Sequence, residues 1–361
     1  MNKAAEEVQA VATDYQRNLA EENADTLRHY YHQMLLVRRF EERTGEMYTK
    51  ARIGGYCHLN LGEEATIVGL MSALQPADYI FTNYREHGYI VARGVEPGRI
   101  MAELFGKETG VSRGRGGSMH LFDIESHFMG GYAIVGGQIP LATGAAFALK
   151  YQERPGVVIC QMGDATTNIG AWHESLNIAK LYQLPIIYFV VNNGYGMGTT
   201  VERGSAEPDL YKKGCAFRIH GERVEGRDLL AVRDVTRRLR ERAEQEHEPA
   251  ILEAVSYRFR GHSVVDPARY RSEEEVRTGR ADDPLKRYAT VLLEGSLIDE
   301  EWLKQVADQV DQEVQEAIDF ANNSPDPKIE DLFTYMYATP VANTPGASEA
   351  IAAAEQAGGK G

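Results

Sequence analysis

PGVVICQMGDATTNIGAWHESLNIAKLYQLPIIYFVVNN, residues 155–193, is the stretch whose reading decides the fold. PGVVICQM is an apolar run of strand length, ESLNIAKLYQL has helical spacing, and PIIYFVVNN is a second apolar run. Two fully buried strands joined by one helix make a βαβ unit with parallel strands. The unit predicts an α/β protein with a largely parallel, doubly wound sheet and flanking helices.

The pattern extends in both directions. Downstream, a helix over about 228–246 and a strand in PAILEAVSY repeat it. Upstream, PLATGAAFALKYQ reads as a small-residue helix suited to close packing. Leu27, Tyr30, Tyr31, Met34, Leu35, Val37, Phe40 and Tyr48 recur at helical spacing, and Gly54-Gly55 ends that helix. A helix through GEEATIVGLMSAL, a strand at Tyr79–Phe81 and a helix over about 97–105 follow. Residues 106–137 are glycine-rich and carry Arg113 and Arg115 in SRGRGGSMH, and a loop of this length inside a domain implies a task. RFRGHSVVDPARYRSEEEV reads as a second basic, polar loop, and 284–335 as helical and amphipathic. The chain divides into a polar arm at 1–25, one α/β domain over 26–338 with helical decorations, and a disordered tail at 339–361 rich in Ala, Gly, Pro, Ser and Glu.

The 361 residues are 43% hydrophobic and 25% charged, ordinary for a globular chain. A net charge of -14 disfavours nucleic acid and anionic membranes as partners. It does not exclude a small anionic substrate, because local arginines override the global field. Cys57, Cys160 and Cys215 lie far apart without metal-ligand spacing, and a reducing compartment fits them. The opening MNKAAEEVQAVATDYQ resembles neither a secretory signal nor a transit peptide, and no apolar run reaches membrane-spanning length.

Chemistry concentrates where the two strands of the opening stretch end, at Gly163-Asp164 and Asn192-Asn193. Both ends emerge at the carboxyl edge of neighbouring parallel strands, where open α/β sheets bind ligands. A hard cation such as Mg²⁺ takes oxygen ligands. Asp164 offers a carboxylate, Asn193 an amide oxygen and Tyr195 a backbone carbonyl, and a helix beginning near Asn168 points N–H groups at an anion such as a diphosphate. The plain alternative is that Asp164 caps a helix and the Asn pair makes a turn. Neither GxxxxGK[ST] nor a strand followed by GxGxxG is present, which disfavours a nucleoside triphosphatase or a Rossmann oxidoreductase.

GDATTNIGAWHESLNIAKLYQLPIIYFVVNNGYGMGTTVER resembles the thiamine-diphosphate motif of pyruvate dehydrogenase E1 alpha subunits, within the 2-oxo acid dehydrogenase family. HLNLGEEA at 58–65, FTNYREHG at 81–88, MAELFGKETGVSRGRGGSMH at 101–120, YAIVGGQIPL at 132–141 and YRFRGHSVVDP at 257–267 match the same family in order, from about residue 27 to 335. The resemblance implies thiamine diphosphate and Mg²⁺ as cofactors. Asp164, Asn193 and the Tyr195 carbonyl then hold the metal, and Tyr84 and Arg85 grip the diphosphate. Gly163 and Ala165 flank the metal carboxylate, and backbone from Ala133 to Gly136, with Val135, meets the aminopyrimidine. His58 and His262 take the catalytic roles: orienting the 2-oxo acid, managing protons and helping pass the acyl group to a lipoyl arm. The family places the activating glutamate on a beta subunit, which implies an α₂β₂ heterotetramer docked on a lipoyl-bearing E2 acyltransferase.

His87, His120 and His173 read as structural, and Arg115 and Arg260 as arginines that either shape an anionic approach or are simply solvated. Three departures stand out: Ala165 where the family has GDG, Tyr132-Ala133 before the IVG segment, and Arg260 where HGHS is usual. Ser263 matches a serine phosphorylated in mitochondrial relatives, whereas the other two regulated serines fall on Thr200 and Arg269. That combination predicts no kinase control of the mitochondrial kind and a bacterial, cytoplasmic setting. The alternatives to a pyruvate enzyme are an acetoin dehydrogenase alpha subunit, a branched-chain 2-oxo acid dehydrogenase alpha subunit, and a non-catalytic scaffold subunit.

Overall fold

A computed structural model describes residues 22–334 and Ala352. The arm, apart from residues 22–25, and the proposed tail, apart from Ala352, lie outside the described residues.

The opening stretch folds as its pattern predicts. Strands β1 (Tyr79–Asn83), β2 (Phe128–Tyr132), β3 (Val158–Gly163), β4 (Ile186–Asn192), β7 (His220–Glu225) and β8 (Ala250–Val255) form one sheet in the order β2-β1-β3-β4-β8-β7. Every pairing in it is parallel. Two-residue strands β5 (Tyr195–Gly196) and β6 (Thr199–Thr200) make a separate hairpin.

Successive strand residues point to opposite faces, and both faces are covered. Ile80, Ile159, Ile187, Phe189 and Leu252 join one apolar cluster with residues of helices Ala24–Thr49, Glu64–Ser72, Leu229–Glu246 and Glu300–Asn323. Phe81, Val158, Cys160, Tyr188 and Ile251 join the other with residues of helices Gln138–Tyr151 and Gly170–Leu181. All seven β4 residues are buried, which explains why that strand reads as an unbroken apolar run. The first helix starts where Asn23 caps it, accepting from the Asp25 N–H at 2.8 Å.

Several expectations need correction. The stretch 106–137 is not all loop, because β2 lies within it and pairs with β1. Strand β7 and a short helix, His87–Ala92, went unread. The helical reading of 284–335, by contrast, holds over its described residues, as two helices, Pro284–Glu294 and Glu300–Asn323, followed by a 3-10 turn at Ile329–Phe333. The element after β3 is a 3-10 turn, Asp164–Asn168, and the helix proper begins at Gly170.

The glycine-rich SRGRGGSMH segment also has a structural explanation. It wraps the buried carboxylate of Glu103. The N–H groups of Ser112 and Gly114 donate to Oε2 at 2.8 Å, and those of Gly116 and Gly117 to Oε1 at 2.7 and 3.1 Å. Arg113, Gly114 and Gly117 adopt left-handed φ of 55°, 72° and 70°, which turns successive N–H groups inward. The anion this nest binds is the chain's own.

All three cysteines are free thiols. Among the described residues no helix is long and apolar enough to cross a membrane.

Candidate functional site

The chain enters β1 and leaves it for the edge strand β2, then crosses to β3 and β4 on the other side. The crevice between β1 and β3 is therefore the point where strand order reverses, the favoured ligand position of open α/β sheets. A cavity of about 560 Å³ lies there. Its walls come from the carboxyl ends of five strands: Asn83, Tyr84 and Arg85 after β1, Ala133 and Val135 after β2, Gly163–Thr166 after β3, Asn193 and Tyr195 after β4, and Arg258 and His262 beyond β8. His58 enters from the turn before helix Glu64–Ser72. All eleven residues singled out in the sequence therefore reach one cavity.

Asp164 is 4% exposed. The Ala165 N–H donates to its Oδ1 at 2.6 Å, while Oδ2 has no hydrogen-bond partner. Burial lifts the carboxyl to about 6, against the pull of the Ala165 N–H and of Arg258. A buried acceptor without a protein partner is open to a cation or an ordered water. Asn193 is fixed beside it: its Nδ2 donates to Glu63 Oε1 at 2.9 Å, which turns Oδ1 toward Arg258 Nη1 at 3.1 Å.

Two guanidinium groups face the same space. Arg85 is buried and spends Nη1 and Nη2 on the carbonyls of Leu59 and His262, both at 2.7 Å. Arg258 is 1% exposed and donates to the Arg260 carbonyl and the Tyr270 hydroxyl as well as to Asn193. Neither makes an ion pair among the described residues. Two buried cations without carboxylate partners suit an anionic ligand. Asp164, the Asn193 amide oxygen, the Tyr195 carbonyl and the twin guanidiniums thus form a donor set that fits a metal–diphosphate group.

His58, Tyr84 and His262 cluster at the mouth. The ring centroids lie 4.5 Å apart for His58–Tyr84, 5.1 Å for His58–His262 and 5.8 Å for Tyr84–His262. Burial, followed by Arg85, holds His58 down to about 2 and His262 down to about 4, so both rings are neutral at physiological pH. His58 Nδ1 is buried without a partner. Burial raises the Tyr84 phenol, which keeps its proton as a donor.

Ala165, the departure from the family's glycine, does not have left-handed φ. Room for its methyl comes from across the site, because a Cβ on Gly196 would sit 2.5 Å from the Ala165 Cβ. His87 bonds Glu41 and Ser118 in the core, and His120 bonds the Gly131 carbonyl, both structural roles as read. His173 packs near Phe217. Arg115 reaches the Asp331 carbonyl, and Arg260 is exposed outside the cavity wall.

Three residues escaped the sequence. Glu63 orients Asn193, and Arg258 faces the cavity where Arg260 does not. Arg271 sits between the rings of Tyr195, Tyr257 and Tyr270, 5.2, 5.1 and 5.7 Å from their centroids, and donates to the Arg258 carbonyl at 2.6 Å. The two arginines lie in YRFRGHSVVDPARYR, where spacing alone does not separate buried arginines from exposed ones, and Glu63 lies in HLNLGEEA, where nothing sets it apart from Glu64.

The family model described as "Dehydrogenase E1 component" matches residues 32–330. The pyruvate dehydrogenase E1 component subunit alpha of Rickettsia bellii is 44% identical over 304 residues, 84% of this chain and 93% of that one. The proteins of the same name from Rhizobium meliloti and Zymomonas mobilis are each 44% identical, over 84% and 86% of this chain and 88% of theirs. With a match across the whole sheet and every wall of the cavity, this chain belongs to the dehydrogenase E1 component family.

Proposed function

We propose that this chain is the alpha subunit of an E1 component that decarboxylates pyruvate with thiamine diphosphate and Mg²⁺ and passes the acetyl group to the lipoyl group of an E2 acyltransferase. The unpartnered Asp164 oxygen beside two guanidiniums that make no ion pair among the described residues carries the cofactor half of this reading. The similar proteins, pyruvate dehydrogenase E1 alpha subunits at 42–44% identity, support the substrate half over acetoin or a branched-chain acid. A cytoplasmic setting in a bacterium belongs to the same reading, supported by the bacterial sources of those proteins.

Asp164 and Asn193 would hold the metal through side-chain oxygens and Tyr195 through its carbonyl. Tyr84, Arg85 and Arg258 would face the diphosphate, and the Ala133–Gly136 backbone, Val135, Gly163 and Ala165 would line the ring. Thiamine diphosphate supplies the electron sink for loss of carbon dioxide. Arg85, close to both histidines, draws the substrate carboxylate toward the mouth. His58 and His262, neutral in this setting, hold or move a proton there, and His58 Nδ1 is the atom left open for it. Asp164 is the only carboxylate among the described lining residues, so the glutamate that activates the ring would come from a beta subunit in an α₂β₂ assembly.

The test is turnover of the chain co-expressed with its beta subunit, supplied with Mg²⁺, thiamine diphosphate and an artificial electron acceptor. Pyruvate should exceed acetoin and 3-methyl-2-oxobutanoate in kcat/KM by at least about tenfold. A preference for either competitor overturns the substrate, and absence of cofactor binding overturns the site.

A further inference from the structure

We infer that Arg258 is an internal counter-ion that occupies the metal position's amide ligand in the empty chain and keeps divalent cations out until a diphosphate arrives. The inference rests on the reading of Asp164, Asn193 and Tyr195 as metal ligands.

The geometry is confining. Asn193 is locked by its Nδ2 bond to Glu63 Oε1 at 2.9 Å, and Glu63 is itself held at Oε2 by Asn60 Nδ2 at 3.1 Å. The Asn193 oxygen therefore keeps one direction, and Arg258 Nη1 meets it at 3.1 Å. Arg258 is held in turn by the Arg260 carbonyl and the Tyr270 hydroxyl, both at 3.3 Å. A dication entering between Asp164 and Asn193 meets this guanidinium, with Arg85 as a second positive charge on the same cavity wall. Like charges at such separations in a buried site repel strongly. A diphosphate reverses the sign, because its oxygens give both guanidiniums charge-assisted partners and leave Asn193 Oδ1 to the metal. Arg258 thus makes metal uptake conditional on the anion, and the empty site does not fill with stray divalent ions.

The experiment measures Mn²⁺ binding by water-proton relaxation on the full chain, in the assembly in which it purifies, without and with inorganic pyrophosphate. Wild type should bind Mn²⁺ weakly alone and tightly with pyrophosphate. Arg258→Met should bind Mn²⁺ alone about tenfold more tightly than wild type and gain less from pyrophosphate. Arg258→Gln, which keeps an N–H donor but no charge, should show the same gain, and Arg258→Lys should stay near wild type. Tyr270→Phe removes a loop contact without touching the Asn193 bond, so it should also match wild type. Neutral variants that bind Mn²⁺ no more tightly than wild type overturn the inference, as does a Tyr270→Phe variant that reproduces their gain. A wild type that fails to bind Mn²⁺ even with pyrophosphate overturns the metal-site reading itself.

Discussion

Two buried carboxylates sit in this molecule in opposite circumstances. Glu103 accepts four backbone N–H groups from the loop folded around it, whereas Asp164 accepts one short bond from Ala165 and leaves Oδ2 unpartnered. Both lie in glycine-rich surroundings, and the sequence invites the same reading for each. Satisfaction separates them: the first loop is closed on its own side chain, and the second keeps an acceptor unmet in a cavity lined by arginine. Glycine density therefore marks tight backbone, and only the leftover hydrogen-bonding capacity marks a ligand.

Exchanging each carboxylate for its amide gives the largest contrast. Glu103→Gln turns an NH₂ group toward N–H donors and should lower unfolding free energy by about 2–5 kcal/mol. Asp164→Asn removes an unpaired buried charge, so the cofactor-free chain should gain about 1–2 kcal/mol in a urea titration, while affinity for Mg²⁺–thiamine diphosphate drops at least about 100-fold. If Asp164→Asn loses stability, the contrast between the two carboxylates collapses.

A subtler lever is the methyl of Ala165. Gly196→Ala brings two Cβ atoms to 2.5 Å and should shift the turn that carries the Tyr195 carbonyl, weakening cofactor binding about tenfold. Adding Ala165→Gly should restore it. No rescue in calorimetric titration would mean that the two positions do not share one packing space.

The smallest effect comes from the histidines at the mouth. Their folded pKa values lie below the ordinary 6.5, at about 2 for His58 and about 4 for His262, so the unfolded chain binds more protons as pH falls from 6.5 toward 4. Stability is full above 6.5 and declines through that window. Between pH 6.5 and 5 each histidine should account for a loss of about 1–2 kcal/mol, and His58→Gln with His262→Gln should flatten the slope of urea midpoints against pH.

The parts legible in the sequence were those whose physics is local. Strands β3 and β4 are covered on both faces, so burial alone wrote an apolar run for each. Asp164 and Asn193 were legible because they stand where those runs stop. Strand β7 was hidden because HGERVE lies at the sheet edge with Val224 its only buried residue. Strand β2, FMGGY, was hidden by Gly130-Gly131, which weaken any strand signal in the sequence, and pairing with β1 holds it extended. Arg258 and Arg260 look alike in the sequence. Asn193 and Tyr270, brought from 65 positions upstream and 12 downstream, decide which one is buried.

The cage around Arg271 has an optical consequence. Three phenol rings hold a fixed, asymmetric arrangement about one guanidinium, and one of them belongs to the residue whose carbonyl is the proposed metal ligand. Rigid tyrosines in a chiral array contribute near-ultraviolet circular dichroism that freely rotating ones do not. The chain therefore carries an intrinsic, label-free chromophore where the turn of the proposed metal ligand Tyr195 meets the loop of His262, and the packing of that junction is visible to light without a reporter being added.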